Sequence, residues 1–121
     1  MISLELPWPP STNQIWRNVA VKGKPRTLLS KSGRDYRALV ARTVLAQRGN
    51  KQLAGRVRVD VVAQAPDRRA RDLDNILKAT LDALTHAGVW QDDSQIDRLL
   101  VERGEVCKPG RLLVAIHYEQ E

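Results

Sequence analysis

Residues 66–82 read PDRRARDLDNILKATLD, which sets Arg68, Arg69 and Arg71 directly before Asp72 and Asp74, with Lys78 four residues after the second acid. Further on, GVWQDDSQ carries the adjacent acids Asp92 and Asp93. Aspartate oxygens with no histidine or cysteine beside them suit a hard cation, Mg²⁺ or Mn²⁺, rather than zinc. Mg²⁺ keeps several waters, takes one or two carboxylates and completes its shell with phosphate oxygens. Guanidinium groups pair bidentately with phosphate. These residue types therefore point to phosphate-ester chemistry on a polyanion. Arg68, Arg69 and Arg71 would grip flanking phosphates, and the acids would hold a metal ion. Lys78 would neutralise charge in the transition state or orient an attacking water.

The same spacing also admits a purely structural role. Asp is a favoured N-cap, and acids suit the positive end of a helix dipole. Asp72 could cap a helix, with Asp74 pairing to Lys78 for about 0.2–0.5 kcal/mol. Inside a helix Asp72 and Asp74 would point roughly 200° apart, since each residue turns about 100°. At a strand-to-helix junction both carboxylates can converge on the helix start. Asp92 and Asp93 repel each other, so a loop gains little by holding both unless it caps something or binds a cation. A helix of about fifteen residues is ~22 Å long, so the chain must run back for these acids to meet Asp72.

The elements around these residues follow from periodicity and breakers. Ile2 to Leu6 is a strand that PWPPSTN stops, because proline lacks the donor a sheet interior needs. Trp8 in that segment is expected to plug the core. Val19 to Lys22 and Thr27 to Leu29 are expected as short strands around a loop at Gly23 to Arg26, where Lys22, Lys24 and Arg26 alternate and read equally as a solvated loop tip or as a flexible phosphate-contacting arm. Ser32 opens a helix with capping-box spacing to Asp35, carrying a stripe of Tyr36, Leu39, Val40, Val44 and Gln47. Gly49 ends it as a residue tolerant of the left-handed conformation.

Arg56 to Ala65 alternates Val57, Val59, Val61 and Ala63 with other residues, a strand with one buried face. A second helix is expected from Leu73 to Ala87, striped by Leu73, Leu77, Leu81 and Leu84 with Ile76 and Thr80 alongside, and stopped by Gly88. Ile96 to Val106 and Leu112 to Tyr118 read as an antiparallel hairpin turning at Lys108-Pro109-Gly110. The fold class is α/β (α+β): two helices on one mixed sheet of four to five strands, ordered strand, hairpin, helix, strand, helix, strand, strand.

Composition bounds the class. The chain has 121 residues, one domain's worth, with 42% apolar and 28% charged residues and no Phe. Lys plus Arg number 20 against 14 Asp plus Glu, net +6, which favours an anionic partner such as nucleic acid. The single cysteine, Cys107, excludes an internal disulfide and a Cys-x-x-Cys site, and fits a reducing cytoplasm. No apolar run is long enough to span a membrane, and MISLELPWPP lacks the pattern of a signal peptide. His86 and His117 read as surface or sheet residues rather than ligands.

PDRRARDLDNILKATLDALTHAGVWQDDSQI resembles the core of the RusA family of Holliday junction resolvases. LPWPPSTNQIW resembles that family's start and KPGRLLVAI its final hairpin, so the resemblance covers nearly the whole chain, 1–121. It implies a homodimeric, magnesium-dependent endonuclease that binds four-way DNA junctions in recombination and repair, with no small-molecule cofactor and no membrane partner. The paired symmetric nicks would carry 5′-phosphate ends. The family's catalytic and metal-holding carboxylates fall on Asp72, Asp74 and Asp93, and its catalytic lysine on Lys78. No role is carried over to Asp92. Ala70 interrupts a run that can hold more arginines. A prophage or bacterial source is also implied.

Two other functions fit the same residues. One is a metal-dependent nuclease preferring other branched DNA. The other is a non-catalytic DNA-binding module whose aspartates are caps and ion pairs. An RNA-binding sheet is poorly matched, because no paired base-stacking aromatic motif is present.

Overall fold

The computed structural model describes residues 1–11, 16–21 and 23–119. In chain order the elements are β1 (Ile2–Pro7), β2 (Trp16–Val21), β3 (Lys24–Leu29), α1 (Lys31–Ala46), β4 (Val57–Gln64), α2 (Asp74–His86), a 3-10 turn (Asp93–Gln95), β5 (Ile96–Arg103) and β6 (Arg111–Tyr118). This is the expected α+β order. Four strands form one mixed sheet in the order β1-β6-β4-β5, and β2 pairs with β3 alone.

The last two strands are not the expected hairpin. β4 lies between them, antiparallel to β6 and parallel to β5. β4 buries Val57, Val59, Val61 and Ala63 and lies in the sheet interior, shielded by a strand on each side. The chain from β5 to β6 must therefore cross the end of β4. It does so through Gly104, whose N–H donates to the Ala63 carbonyl at 3.0 Å, and Cys107, whose N–H donates to the Ala65 carbonyl at 2.9 Å.

Both helices cover one face of the sheet. Ile2, Leu4 and Leu6 of β1, the four apolar residues of β4, and Leu112, Val114 and Ile116 of β6 meet Tyr36, Val40, Val44, Ile76 and Leu84 in one cluster. Trp8 packs against that cluster half-buried. The buried face of α2 centres on Ile76, Ala79, Thr80, Ala83 and Leu84. Leu73, Leu77 and Leu81 lie at its flanks, so the expected leucine stripe is rotated toward the smaller residues. Small side chains at Ala79, Thr80 and Ala83 let α2 approach α1, and Arg37 to Asp82 at 2.6 Å ties the two. Buried Thr80 satisfies its hydroxyl on the Ile76 carbonyl at 2.6 Å.

Local signals moved by a residue or two. α1 is capped by Ser30, whose Oγ accepts from the Gly33 N–H at 3.1 Å, and not by Ser32. Past its end Arg48 takes the left-handed conformation at φ 59°, not Gly49. Gly49 is needed for space instead, because a Cβ there would stand 2.7 Å from Leu4 Cδ2. Gly88, at φ 84°, does end α2 as expected. The first hairpin turns tightly, with Val21 opposite Lys24, so Lys24 to Arg26 belong to β3 rather than to a loop.

Candidate active site

β4 delivers the chain to a loop, Ala65 to Leu73, and Asp67 organises it. The Asp67 carboxylate accepts from the Arg69 N–H at 2.9 Å, from Arg71 Nη1 at 2.7 Å and from Arg69 Nε at 3.2 Å. Chiefly the Arg71 guanidinium, then the Arg69 N–H, hold this carboxyl far below the usual carboxylate range. The Arg71 guanidinium also lies 5.7 Å from the centre of the Trp8 ring, within cation–π range. Arg71 is thus half-buried and builds the loop, whereas Arg68 and Arg69 are exposed. The three arginines expected to act alike divide into one that shapes the loop and two that face solvent.

The loop borders an open cleft of about 190 Å³ lined by Trp8, Arg68, Asp72, Ile76 and Arg103 among others. A wider cleft of about 680 Å³ adjoins it along Pro9, Ser11, Arg69, Asp72 and Asn75. Asp72 and Asp74 are both exposed, and no residue among those described donates a hydrogen bond to either carboxylate. Asp72 does not cap α2 through its side chain: Leu73 holds the N-cap position with no side-chain bond, and only the Asp72 carbonyl accepts, from the Asn75 N–H at 3.2 Å. Asp74 is the first residue of α2, and it forms no ion pair with Lys78, one turn further along the same exposed side. Two carboxylates at the positive end of a helix, beside exposed arginines, fit the oxygen-only donor set that Mg²⁺ takes.

The second pair of acids splits. Asp92 caps the 3-10 turn: its carboxylate accepts from the Ser94 hydroxyl and from the Ser94 N–H at 3.2 Å, and those bonds hold it below the usual range. Buried Gln95 fixes the same turn. Its Oε1 accepts from the Gln91 and Asp92 N–H groups at 2.9 Å each, and its Nε2 donates to the Leu53 and Gly55 carbonyls at 2.8 Å each. Asp93 is left exposed on this braced turn with no side-chain partner among the described residues.

One chain does not bring Asp93 to Asp72. Asp93 precedes the start of β5, while Arg103, at the end of β5, is the residue that reaches the Asp72 loop. At ~3.3 Å per residue the strand between them spans roughly 23 Å. Accordingly, among the described residues no three of His, Cys, Asp and Glu stand close enough to hold a metal ion. The chain does run back after α2, but it returns Arg103 and not an acid. Arg103 donates to the Arg71 carbonyl and lines the cleft, a position with no signature in sequence because it depends on β5 running parallel to β4.

Of the expected basic arm, Lys22 lies outside the described residues, and Lys24 and Arg26 take places in β3. His117 sits on the open face of the sheet, 3.2 Å from Asp60, and His86 is exposed at the end of α2. No described helix is long and apolar enough to cross a membrane.

An α+β layer pair that presents exposed acids and arginines at a helix start has the make-up of a phosphodiester-cleaving domain. Comparison with known proteins narrows this. The family described as endodeoxyribonuclease RusA matches residues 7–117. The crossover junction endodeoxyribonuclease RusA of Escherichia coli K12 is 43% identical over 94% of this chain and 92% of its own length. Its namesakes from Enterobacteria phages 82 and HK97 are 42% and 41% identical, over 93% and 92% of this chain and 91% and 89% of their own lengths. The chain belongs to the RusA endodeoxyribonuclease family.

Proposed function

We propose that the chain is an Mg²⁺-dependent endodeoxyribonuclease that resolves four-way DNA junctions, as a homodimer, by paired symmetric nicks leaving 5′-phosphate ends. Its role would lie in DNA recombination and repair. Membership of a family whose members carry that activity supports this, and one observation in the structure carries it. Asp72 stands exposed in the cleft that Arg68, Arg69 and Arg103 line, and Asp74 stands exposed two residues on as the first residue of α2, neither carboxylate having a partner among the described residues.

Asp72 and Asp74 supply two carboxylates, and the third comes from the partner's Asp93, since the chain's own lies about the length of β5 away. Mg²⁺, or Mn²⁺ in its place, would contribute Lewis-acid polarisation of the scissile phosphate. Everything else falls to side chains of this protein. Lys78, one turn beyond Asp74, offsets negative charge on the phosphoryl oxygens as bond breaking proceeds. Arg68 and Arg69 hold the flanking phosphates through charge-assisted bonds. Lys22, Lys24 and Arg26 extend that grip along a second arm. Arg71 keeps the loop folded by pairing with Asp67. Resolution of a four-way junction needs two cuts related by symmetry, and a two-fold dimer presents two sites in matching orientation.

The test is cleavage of a four-way junction and of a matched linear duplex, each with Mg²⁺ and with EDTA. Paired nicks in the junction, only with Mg²⁺, are expected. Binding that is indifferent to Mg²⁺ and never followed by cutting would return the chain to a DNA-binding module. Cutting of flaps or forks in preference to junctions would assign it another branched substrate.

A further inference from the structure

The cleft of about 190 Å³ beside Asp72 is built in two zones. Its buried and half-buried walls are mostly apolar: Trp8, Ala63, Ala65, Leu73 and Ile76. Its exposed rim is charged: Arg68, Arg69, Asp72 and Arg103. The two half-buried charged residues, Asp67 and Arg71, pair with each other at 2.7 Å and so present little net charge to the cleft. The Arg71 guanidinium lies 5.7 Å from the centre of the Trp8 ring, yet Trp8 still lines both this cleft and the wider one that adjoins it.

Val106 lines the same cleft and has no place in the chemistry above. It is apolar, 47% exposed and outside the core cluster. Its loop is nonetheless pinned on both sides, by the Gly104 N–H on the Ala63 carbonyl at 3.0 Å and the Cys107 N–H on the Ala65 carbonyl at 2.9 Å. The fold thus holds a water-facing valine at the cleft without gaining core packing from it.

An apolar slot with a cationic rim matches a ligand that is flat and apolar at one end and anionic at the other. We infer that the slot takes one nucleobase, unstacked from the DNA strand whose phosphate sits at the rim. This deepens the proposed function and rests on it for the identity of the polyanion. A phosphate held by Arg68 and Arg103 brings its own base within reach of Trp8, Ile76 and Val106. Aromatic and aliphatic walls are how a base out of its stack is held. The volume suits one ring system, and falls short of the roughly 300–1,000 Å³ of sites for larger ligands. The slot also supplies selection by shape. In a linear duplex every base is paired and stacked, and that cost opposes entry. Where strands exchange at a four-way junction the stack is interrupted, so a base leaves it most easily. The slot therefore fills at a branch point and not along a duplex.

The test is read on binding in EDTA, so that it stands apart from cleavage. Val106→Trp fills the slot from its exposed side. It should weaken binding of a four-way junction about 10-fold, the scale of one lost base–aromatic contact, and leave linear duplex binding unchanged. Junctions carrying a single abasic site, moved one nucleotide at a time across the exchange point, supply the second arm. At one position, where the missing base is the occupant, Val106→Trp and wild type should bind alike. Should Val106→Trp lower the melting temperature, Ala65→Leu fills the slot from another wall and is read in the same way. A filled slot that binds the junction as wild type does, one that weakens junction and duplex equally, or a 10-fold gap that persists at every abasic position would each overturn the inference. Paired nicks with any of those outcomes would uphold the proposed function and defeat the base slot. Base-dependent binding with no cutting in Mg²⁺ would do the reverse.

Discussion

Arg103, the last residue of β5, donates from its guanidinium to the backbone carbonyl of Arg71, in the loop that leads to Asp72. Two segments more than thirty residues apart in sequence, |i−j| = 32, thereby form one wall of the cleft. This contact fixes which end of the sheet is the site. It also places Asp93, at the other end of β5, away from the acids it was expected to join.

Asp74→Asn should abolish cleavage while leaving junction binding intact or slightly tighter. The carboxylate has no structural partner among the described residues, so removing its charge costs the fold little. Losing an electrostatic group aimed at a reacting centre typically costs roughly 10²–10³-fold in rate. Gel-shift binding and single-turnover cleavage on the same junction check this, and purified variant that still cuts at the wild-type rate would contradict it.

Lys78→Ala should slow the chemical step by roughly 10²-fold and change the dissociation constant for junction DNA by far less. Lys78 is exposed and stands one helical turn from Asp74 on α2. Equal single-turnover rates for variant and wild type would remove it from the chemistry.

Arg68 and Arg71 should differ in kind. Binding should weaken steeply with salt, and Arg68→Ala should reduce the slope of log K against log salt by about 1, the loss of one phosphate contact. Arg71→Ala should instead lower thermal stability, because its partners are Asp67 and the Trp8 ring. A reduced melting temperature for Arg68→Ala with no change in salt slope would reverse the assignment.

Asp67 should make stability acid-sensitive. Its folded pKa is depressed below the unfolded value of about 3.9, so its contribution is present above that value and is lost as pH falls through the folded one. Denaturation between pH 5 and pH 2, order-of-magnitude bounds around that value, should show a steeper loss for wild type than for Asp67→Asn. Parallel curves would mean that the Arg71 contact contributes nothing.

Much of this was legible in sequence because it depends on near neighbours. The alternation of Val57, Val59, Val61 and Ala63 gave β4, and the run from Arg68 to Asp74 marked the site. The errors came from residues whose partners are distant. Ser30 and Ser32 both precede a helical stripe, and the cap is settled by where α1 is anchored, through Tyr36 to the Pro7 carbonyl at 2.9 Å and Arg37 to Asp82 at 2.6 Å. The turn at Lys108 to Gly110 looked like a hairpin because nothing local reveals that β4 inserts between the strands it joins. Asp92 and Asp93 are alike as residue types, and only the Ser94 and Gln95 bonds tell the cap from the exposed acid. The distance between Asp93 and Asp72 is set by the length of β5, which spacing along the chain does not encode.

The central claim is that each site draws Asp72 and Asp74 from one copy and Asp93 from the other. The most direct measurement uses a heterodimer of an Asp74→Asn chain and an Asp93→Asn chain, purified through two different tags. One of its sites would be intact, with Asp72 and Asp74 from the Asp93→Asn chain and Asp93 from the Asp74→Asn chain. The account predicts that this heterodimer nicks one strand of the junction, although each homodimeric variant is inactive. A heterodimer as inactive as both parents would contradict it and place all three acids of a working site in one chain.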